Sequence, residues 1–206
     1  MSNETLPTDA LLLRWFGALE DGLCSDAHRQ SLFRANAAFD DALRADFGAA
    51  VDAALRGELD DAVRTPADRL ALVLLCDQLP RNLARGTPRA FAGDARALAQ
   101  ARLAVARGED HALETEQRAF LYVPFEHAED LAAQQEGIAL FEALLAEHPA
   151  EGPAARAVAG YLAHAREHAA LIERFGRFPH RNATLGRIST PEEQEHLARD
   201  GRSFGQ

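Results

Sequence analysis

The stretch TPADRLALVLLCDQLPRNLARGTP, Thr65 to Pro88, decides the fold class of this 206-residue chain. Thr65 precedes a proline at the first position of a predicted helix, where a missing N–H costs nothing, and Asp68 completes a weak capping box. The apolar run Leu70–Cys76 that follows suits a buried helix and is far too short to cross a bilayer. Pro80 interrupts the pattern. The stretch therefore predicts a buried helix, a polar corner and the start of another helix.

The rest of the chain has the same helical periodicity, with abundant alanine and no alternating Val/Ile/Thr runs. Thr-Pro pairs at Thr87 and Thr190 predict two more helix starts, the second with a capping box to Glu193. Prolines 80, 124 and 179 should interrupt helices, and short connections favour antiparallel helical hairpins. We expect one all-α domain over residues 1–206, with a last helix folded back through Leu197 and Phe204. The predicted helices span about 8–19, 36–56, 66–79, 88–107, 115–123, 129–147, 153–175 and 191–200.

The composition argues against several classes of protein. A hydrophobic content of 47% and a charged content of 26% suit a soluble globular chain, but the formal net charge is -10. This charge disfavours nucleic acid, whose binding requires a basic face, and it disfavours an anionic membrane surface. The start, MSNETLPTDA, lacks the regions of a secretory signal, so we expect a cytoplasmic location. Cys24 and Cys76 have no metal-binding spacing, and Cys76 is predicted to be a buried thiol.

A second stretch, RFGRFPHRNATLGRISTPEE from Arg174 to Glu193, concentrates arginine in this acidic chain. Such a concentration indicates that negative groups lie nearby, either on a bound ligand or on the protein itself. The order of proline, Arg-Asn, glycine and Thr-Pro also occurs in LPRNLARGTP, residues 79–88. Chance can supply so short a match, but the shared order suggests two related helix–loop–helix corners.

Three polar segments carry the candidate site: the corner after Cys76, the segment EHAEDLAAQ, and the arginine-rich corner. Arginine binds carboxylate or phosphate through two parallel hydrogen bonds, so a small anionic molecule is the expected ligand. Partial burial would bring carboxyl and imidazole pKa values near neutrality and allow proton transfer. The acid–base candidates are Glu126, His127, Glu129 and His180. The ligand-binding candidates are Asp77, Gln78, Arg81, Asn82, Arg85, Gln134, His168, Arg177, Arg181, Asn182 and Arg187.

The same residues have a purely structural interpretation. Arginines near helix C-termini satisfy carbonyl groups, and acids at the next helix start do the converse, so the segments would form an internal ion-pair lock. The histidines and the repeated Arg-Asn pairs favour a ligand pocket, and both interpretations stay open. Buried charges need partners in either case. We expect Arg81, Arg85, Arg177 and Arg181 to come close to Asp77, Glu126 or Glu129.

The segment HAREH, His164 to His168, matches the HxxEH pattern of some zinc peptidases. A zinc site needs a third ligand and supporting hydrogen bonds, which five letters do not supply. We predict no bound metal, an exposed His164, and a His168 packed near the arginine-rich corner, which is the last of the three polar segments. No nucleotide-binding motif is present, so no cofactor is predicted. The predicted aromatic core comprises Trp15, Phe16, Phe39, Phe47, Phe91, Phe120 and Phe141.

Four stretches together resemble the bacterial family known as domain of unknown function 924: RWFGAL, RLALVLLCDQLPRNLARGTPRAF, FLYVPFEHAEDLAAQ and RFGRFPHRNATLGRISTPEE. The resemblance runs nearly end to end and implies a soluble, tetratricopeptide-like α–α superhelix without an assigned activity. The family pattern includes every candidate site residue named above. Two positions depart from it, because Leu79 replaces a phenylalanine and Ala128 replaces a serine. His164 lies outside the pattern, which argues further against zinc.

Two functional hypotheses follow. In the first, the polar segments converge on a small anionic ligand, with or without acid–base catalysis. In the second, the protein is a non-catalytic adaptor, since tetratricopeptide-like folds bind peptides in a concave groove, and the partner is an acidic peptide. A closed site with adjacent acids and histidines favours the first hypothesis, and an open basic groove favours the second. The oligomeric state is left open.

Overall fold

The computed structural model describes residues 5–32 and 36–199. Within these ranges the chain consists of α-helices and short 3₁₀ turns, with one isolated β-bridge and no strand, so the predicted all-α fold is confirmed. No helix among these residues is both long and apolar enough to span a membrane. The helices are α1 (Thr8–Phe16), α2 (Asp26–Leu32), α3 (Ala37–Arg56), α4 (Pro66–Cys76), α5 (Gln78–Leu83), α6 (Asp94–Ala106), α7 (Thr115–Glu126), α8 (Leu131–Ala146), α9 (Pro153–Phe175) and α10 (Pro191–Arg199).

Helix α4 lies at the centre of the core, as its sequence predicts. It contacts α1, α3, α6 and α7, and every residue from Leu70 to Cys76 is fully buried. Aromatic rings from neighbouring helices pack edge to face around it, such as Trp15 and Phe120 with centroids 5.8 Å apart. Consecutive helices also pack together, α7 with α8 and α8 with α9, which fits the expected hairpins. The tetratricopeptide-like superhelix stays a prediction.

The helix caps agree largely with the sequence. Asp68 N donates to Thr65 Oγ1 at 3.1 Å and Thr65 N donates to Asp68 Oδ2 at 3.0 Å, so this capping box is complete rather than weak. Glu193 N donates to Thr190 Oγ1 at 3.2 Å, and Thr190 N donates to Glu193 Oε2 at 2.7 Å. The prediction for Thr87 is wrong, because it precedes a 3₁₀ turn, Pro88–Phe91, and α6 begins only at Asp94.

Two helix ends also differ from the prediction. Helix α1 stops at Phe16 instead of continuing to residue 19, because Gly17 leaves the helical region with a φ of 66°. Helix α7 continues through Pro124 to Glu126. A proline in a last turn removes a single backbone hydrogen bond, and the burial of the residues around it in α7 outweighs that loss. Glu126 and His127 are therefore a helix end and its cap.

The joint between α4 and α5 shapes the polar centre of the molecule. Pro80 has no N–H to donate to the Cys76 carbonyl, so the helix breaks at Asp77, where φ is -108° and ψ is -62°. Gly93, the N-cap of α6, lies against the same carbonyl. A Cβ atom at Gly93 would stand 2.8 Å from both the Cys76 carbonyl carbon and Leu55 Cδ2. Only glycine allows this approach, which brings Asp94 close to the α4–α5 joint.

The last described helix folds back as predicted. Helix α10 contacts the 3₁₀ turn Pro179–Arg181, and the rings of Phe175 and His196 lie 5.1 Å apart. Leu197 is half-buried on this helix. Phe204, the other apolar residue expected to hold it, lies outside the described residues.

The close contact of Gly93 predicts that one added methyl group at this position lowers the stability of the fold. Gly93→Ala should lower the free energy of unfolding by about 1–3 kcal/mol, because the backbone of α4 must shift to admit it. Gly160→Ala is the matched control, since this glycine lies in exposed α9 surface with nothing within 4 Å of an added Cβ, and it should stabilise by about 0.5–1 kcal/mol. Urea denaturation measures both. Equal effects of the two substitutions would contradict the packing described here.

Candidate functional site

An aspartate on α6 joins two arginines that are 100 residues apart in the sequence. Arg81 Nη1 lies 2.8 Å from Asp94 Oδ1 and Arg81 Nη2 lies 3.0 Å from Asp94 Oδ2, a bidentate pair. Arg181 Nη1 lies 3.0 Å from the same Oδ2. Arg81 Nη1 also lies 3.1 Å from Asp77 Oδ1. We call this set of Asp77, Arg81, Asp94 and Arg181 the central ion-pair cluster.

Arg181 is held by aromatic rings more than by hydrogen bonds. Its guanidinium carbon lies 4.6 Å from the ring centroid of Phe91 and 4.5 Å from that of Phe178. Its side chain is buried, and its Nε has no hydrogen-bond partner among the described residues. Burial and the nearby charge of Arg81 lower the pKa of Arg181 to about 10, so it stays cationic at neutral pH. A positive charge is thus held in a largely apolar setting.

His127 and Asp77 form a dyad at the edge of this cluster. The distance from His127 Nδ1 to Asp77 Oδ1 is 2.7 Å, and Asp77 is fully buried. Burial opposes ionisation of Asp77, but the charge of Arg81 and the contact with His127 lower its pKa below the ordinary value. The ionised Asp77 accepts a hydrogen bond from His127 Nδ1–H, which leaves the lone pair on Nε2. Burial and Arg81 lower the pKa of His127, so the ring is neutral and can accept a proton.

Glu126, the residue before His127, is in the opposite state. Its side chain is 7% exposed, and its buried Oε2 has no hydrogen-bond partner among residues 5–32 and 36–199. Burial and the charge of Asp77 raise the pKa of Glu126 to about 8, with Arg81 opposing the shift. The carboxyl group is therefore protonated at neutral pH and can donate a proton. Consecutive residues at the end of α7 thus supply a base and an acid.

Two further histidines border the cluster as neutral rings. The His168 ring lies 6.2 Å from the His127 ring and 5.4 Å from the Phe178 ring, in the arginine-rich corner as predicted. Burial and His127 lower the pKa of His168 to about 3. Burial and Arg181 lower the pKa of His180 to about 4. Neutral histidines leave the charge of the central ion-pair cluster balanced, with two arginines against two aspartates.

Two other arginines of the arginine-rich corner form the ion pairs that the structural interpretation expects. Arg177 donates to both oxygens of Glu193 at 2.7 and 2.8 Å and to the Ile188 carbonyl at 2.9 Å. Arg187 donates to both oxygens of Glu129 at 2.6 and 2.9 Å. Burial alone would raise the pKa of Glu129, but hydrogen bonds from Arg187 and from the Phe178 N–H lower it. Glu129 is thus an ionised structural partner rather than a proton donor.

Of the four arginines expected to come close to Asp77, Glu126 or Glu129, Arg81 forms an ion pair with Asp77. Arg177 pairs with Glu193 and Arg181 pairs with Asp94. Arg85 pairs with Asp40 on α3, at 3.2 Å, which the expectation did not include. The direct partner of each of these three arginines is thus an acid outside the predicted set, although the charge of Glu129 acts on both Arg177 and Arg181. A closer acid was available to each of them.

Four ligand-binding candidates use their side-chain amides in hydrogen bonds within the protein. Asn82 Nδ2 donates to Asp40 at 2.8 Å, and Gln78 Nε2 donates to Asp77 Oδ2 at 2.5 Å. Gln134 Nε2 donates to the backbone carbonyls that end α7, at 2.6 and 2.8 Å. Asn182 Nδ2 donates to Ser189 and Glu193. The candidates that meet around one centre are Asp77, Arg81, Glu126, His127, His168, His180 and Arg181.

Sequence reasoning missed three members of this centre. Asp94 was not a candidate, and as the first acid of a helix it carries no distinguishing signal. Phe91 was assigned to the aromatic core, but it is only half-buried and lies under the guanidinium groups of Arg81 and Arg181. Phe178 was visible as part of the FPHRN motif, between Arg177 and Arg181. Phe39 is also half-buried rather than fully in the core.

No metal site emerges from the described part of the chain. Within it, no three or more His, Cys, Asp and Glu side chains are arranged to hold an ion. His164 is exposed, as predicted. His168 turns its Nδ1 to the His164 carbonyl at 2.9 Å.

Fold and site together define an all-α protein whose buried centre combines an ion-pair cluster with a His–Asp dyad and a protonated carboxyl group. The chain belongs to the family described as bacterial protein of unknown function (DUF924), whose profile matches residues 11–201. It is similar to a solved structure of a protein of unknown function from Agrobacterium tumefaciens, with 39% sequence identity and a TM-score of 0.78. That similarity covers 94% of this chain and 97% of the other. No curated protein matches the chain.

The shifted pKa of Glu126 predicts how stability changes with pH. The ordinary carboxyl pKa is 4.5 and the folded value is about 8. Between these values the folded state keeps a proton that the unfolded state releases, so stability present at low pH is lost as the pH rises. This group contributes a slope of at most about 1.4 kcal/mol per pH unit. Glu126→Gln should remove that slope in urea denaturation experiments between pH 5 and 8.

Glu129→Gln is the matched control for this experiment. The pKa of Glu129 is lowered in the fold, so its contribution is lost only as the pH falls below the ordinary carboxyl range. Its substitution should leave the slope between pH 5 and 8 unchanged. Identical slopes for the wild type and Glu126→Gln would contradict a protonated Glu126.

Proposed function

We propose that the central ion-pair cluster is the binding site for a small molecule with a carboxylate or phosphate group, and that His127 transfers a proton to or from it. The observation that carries the proposal is the bonding of Arg181. This arginine is buried, yet only its Nη1 has a hydrogen-bond partner among the described residues. A buried charge with unused donors is costly, and a ligand anion would use them.

The contrast with the neighbouring arginines supports this assignment. Arg177 and Arg187 each donate to both oxygens of one carboxylate and to a backbone carbonyl. Those bonds complete an ion-pair lock, as the structural interpretation of the sequence expects. Arg181 shares Asp94 with Arg81, which already holds that carboxylate through two bonds. The buried Nε of Arg187 also lacks a partner among the described residues, but Arg187 holds its own carboxylate through two bonds. Arg181 has a single bond to a carboxylate that it shares, which leaves it capacity for another anion.

The residues beside Arg181 suit proton transfer. His127 is oriented by Asp77, and Glu126 carries a proton at neutral pH. Because the cluster without a ligand is close to neutral, an arriving anion is best accommodated if a nearby group gains a proton. His127 is neutral and can gain that proton. This arrangement favours an enzyme over a passive binding protein.

A non-catalytic adaptor for an acidic peptide is the second candidate. A groove of about 290 Å³ runs between α3 and α5, with Arg44 and Arg89 on its sides. Both arginines are already engaged, since Arg44 donates to the Leu83 carbonyl and Arg89 pairs with Asp52. The buried position of Arg181 also excludes an extended peptide without rearrangement. The polar centre therefore favours a small molecule.

Substitution of Arg181 separates a binding site from a lock. In Arg181→Met, Asp94 keeps its bidentate bond to Arg81, and methionine fits between the two phenyl rings. We therefore expect the melting temperature to change little, because replacing an imperfectly paired buried charge by an apolar group is often neutral. In Arg177→Met the buried Glu193 loses its arginine, so this control should melt at a lower temperature than Arg181→Met.

Binding is then measured by thermal shift with a panel of carboxylated and phosphorylated metabolites. A specific ligand raises the melting temperature of the wild type according to RT ln(1 + [L]/Kd). The shift should persist in Arg177→Met and disappear in Arg181→Met. A large stability loss in Arg181→Met with an unchanged ligand shift would assign Arg181 to the lock and refute the proposal.

A further inference from the structure

The acid and the base at the end of α7 act on one common centre. His127 contacts Asp77, and the charges of Asp77 and Arg81 are the dominant electrostatic influences on Glu126. The two groups are in complementary protonation states at neutral pH. A neutral imidazole removes a proton, and a neutral carboxylic acid donates a hydrogen bond or a proton to an oxygen atom that gains negative charge. Glu126 and His127 therefore place an acid and a base next to the same charged pair, Asp77 and Arg81.

Covalent catalysis by a thiol has no support in this fold. Cys24 and Cys76 are buried and free. Burial and Glu116 raise the pKa of Cys24 to about 11, and burial raises that of Cys76 to about 12, so neither forms a thiolate at neutral pH. The buried centre is thus equipped for proton transfer rather than for nucleophilic attack by cysteine.

We infer, resting on the proposed anion site, that the substrate is an oxo acid and that the protein moves a proton at the carbon atom next to its carbonyl group. Arg181 holds the carboxylate. His127 Nε2 takes the proton from the carbon, and the electron pair of the broken C–H bond forms a carbon–carbon double bond. The carbonyl oxygen accepts the displaced electrons and takes the proton of Glu126, which yields an enol. Return of a proton from His127 to carbon and of the enol proton to Glu126 completes the cycle, so no oxidant or reductant is needed.

Each chemical group in this assignment has one role. The ring pair Phe91 and Phe178 fixes the plane of Arg181, which orients the carboxylate. Asp77 keeps the proton of His127 on Nδ1. Asp77 is therefore a positioning residue, and loss of its charge would favour the wrong imidazole tautomer.

The test follows hydrogen exchange in D₂O by proton NMR at neutral pD. The probes are 2-oxobutyrate, 2-oxoglutarate and phenylpyruvate, with 2-hydroxybutyrate as a matched carboxylate that has no keto group. The wild type should accelerate loss of the C3 proton signal of at least one oxo acid over the rate without protein, and it should leave 2-hydroxybutyrate unchanged.

Variants assign the roles. His127→Gln and Glu126→Gln should each lower the accelerated rate by about 100-fold or more, the scale of acid–base catalysis. Arg174→Met, which alters an exposed ion pair with Glu192, should exchange at the wild-type rate. Full exchange in either His127→Gln or Glu126→Gln would contradict the assignment of that residue and overturn the inference.

The outcomes distinguish this inference from the proposed function. A thermal shift with an oxo acid that depends on Arg181, without any exchange, overturns the carbon-acid chemistry and leaves the anion site standing. Hydrolysis of a phosphate or carboxylate ester that depends on His127 would likewise overturn the inference and retain the site. If none of the oxo acids binds while a different anion from the panel does, the substrate class is wrong.

Discussion

The Asp94 carboxylate is the interaction on which the polar centre depends. It binds Arg81, 13 residues away, through two bonds, and Arg181, 87 residues away, through a third. Two guanidinium groups would otherwise repel each other inside the protein, and burial together with the charge of Arg81 lowers the pKa of Arg181. One carboxylate between them allows both charges to remain buried. The arginine-rich corner is thereby fixed against the α4–α5 joint, and the dyad of Asp77 and His127 lies beside that joint.

The backbone prepares this position for Asp94. Pro80 breaks the helix at Asp77, and Gly93 allows α6 to start beside the carbonyl of Cys76. Both features are local properties of single residues. Together they bring Asp77, which follows α4, and Asp94, which begins α6, to Arg81. Helix α7 then adds Glu126 and His127 because it does not stop at Pro124. The site is built from helix ends, where side chains and backbone groups are free of the regular helical hydrogen bonds.

Local signals predicted the fold well and the site only in part. The capping boxes at Thr65 and Thr190 were readable because each motif spans four residues. Arg81, His127 and Arg181 were found as candidates because they stand in unusual polar motifs. Their partner Asp94 was not, because an acid in the first turn of a helix is ordinary and its role arises only from tertiary contact. The pairing of Arg85 with Asp40 could not be predicted for the same reason, because Asp40 is an acid in the first turn of α3.

The arginine-rich corner combines two uses of the same side chain, and burial explains the difference. Arg177 and Arg187 are partly exposed, and each donates to both oxygens of one carboxylate. Arg181 extends inward, between two phenyl rings, and meets a carboxylate that another arginine already holds. The inner cluster keeps donors on Arg181, a lone pair on His127 and a proton on Glu126, and a fold selected only for stability would gain from replacing them by apolar side chains. The proposed function rests on their joint presence at one centre.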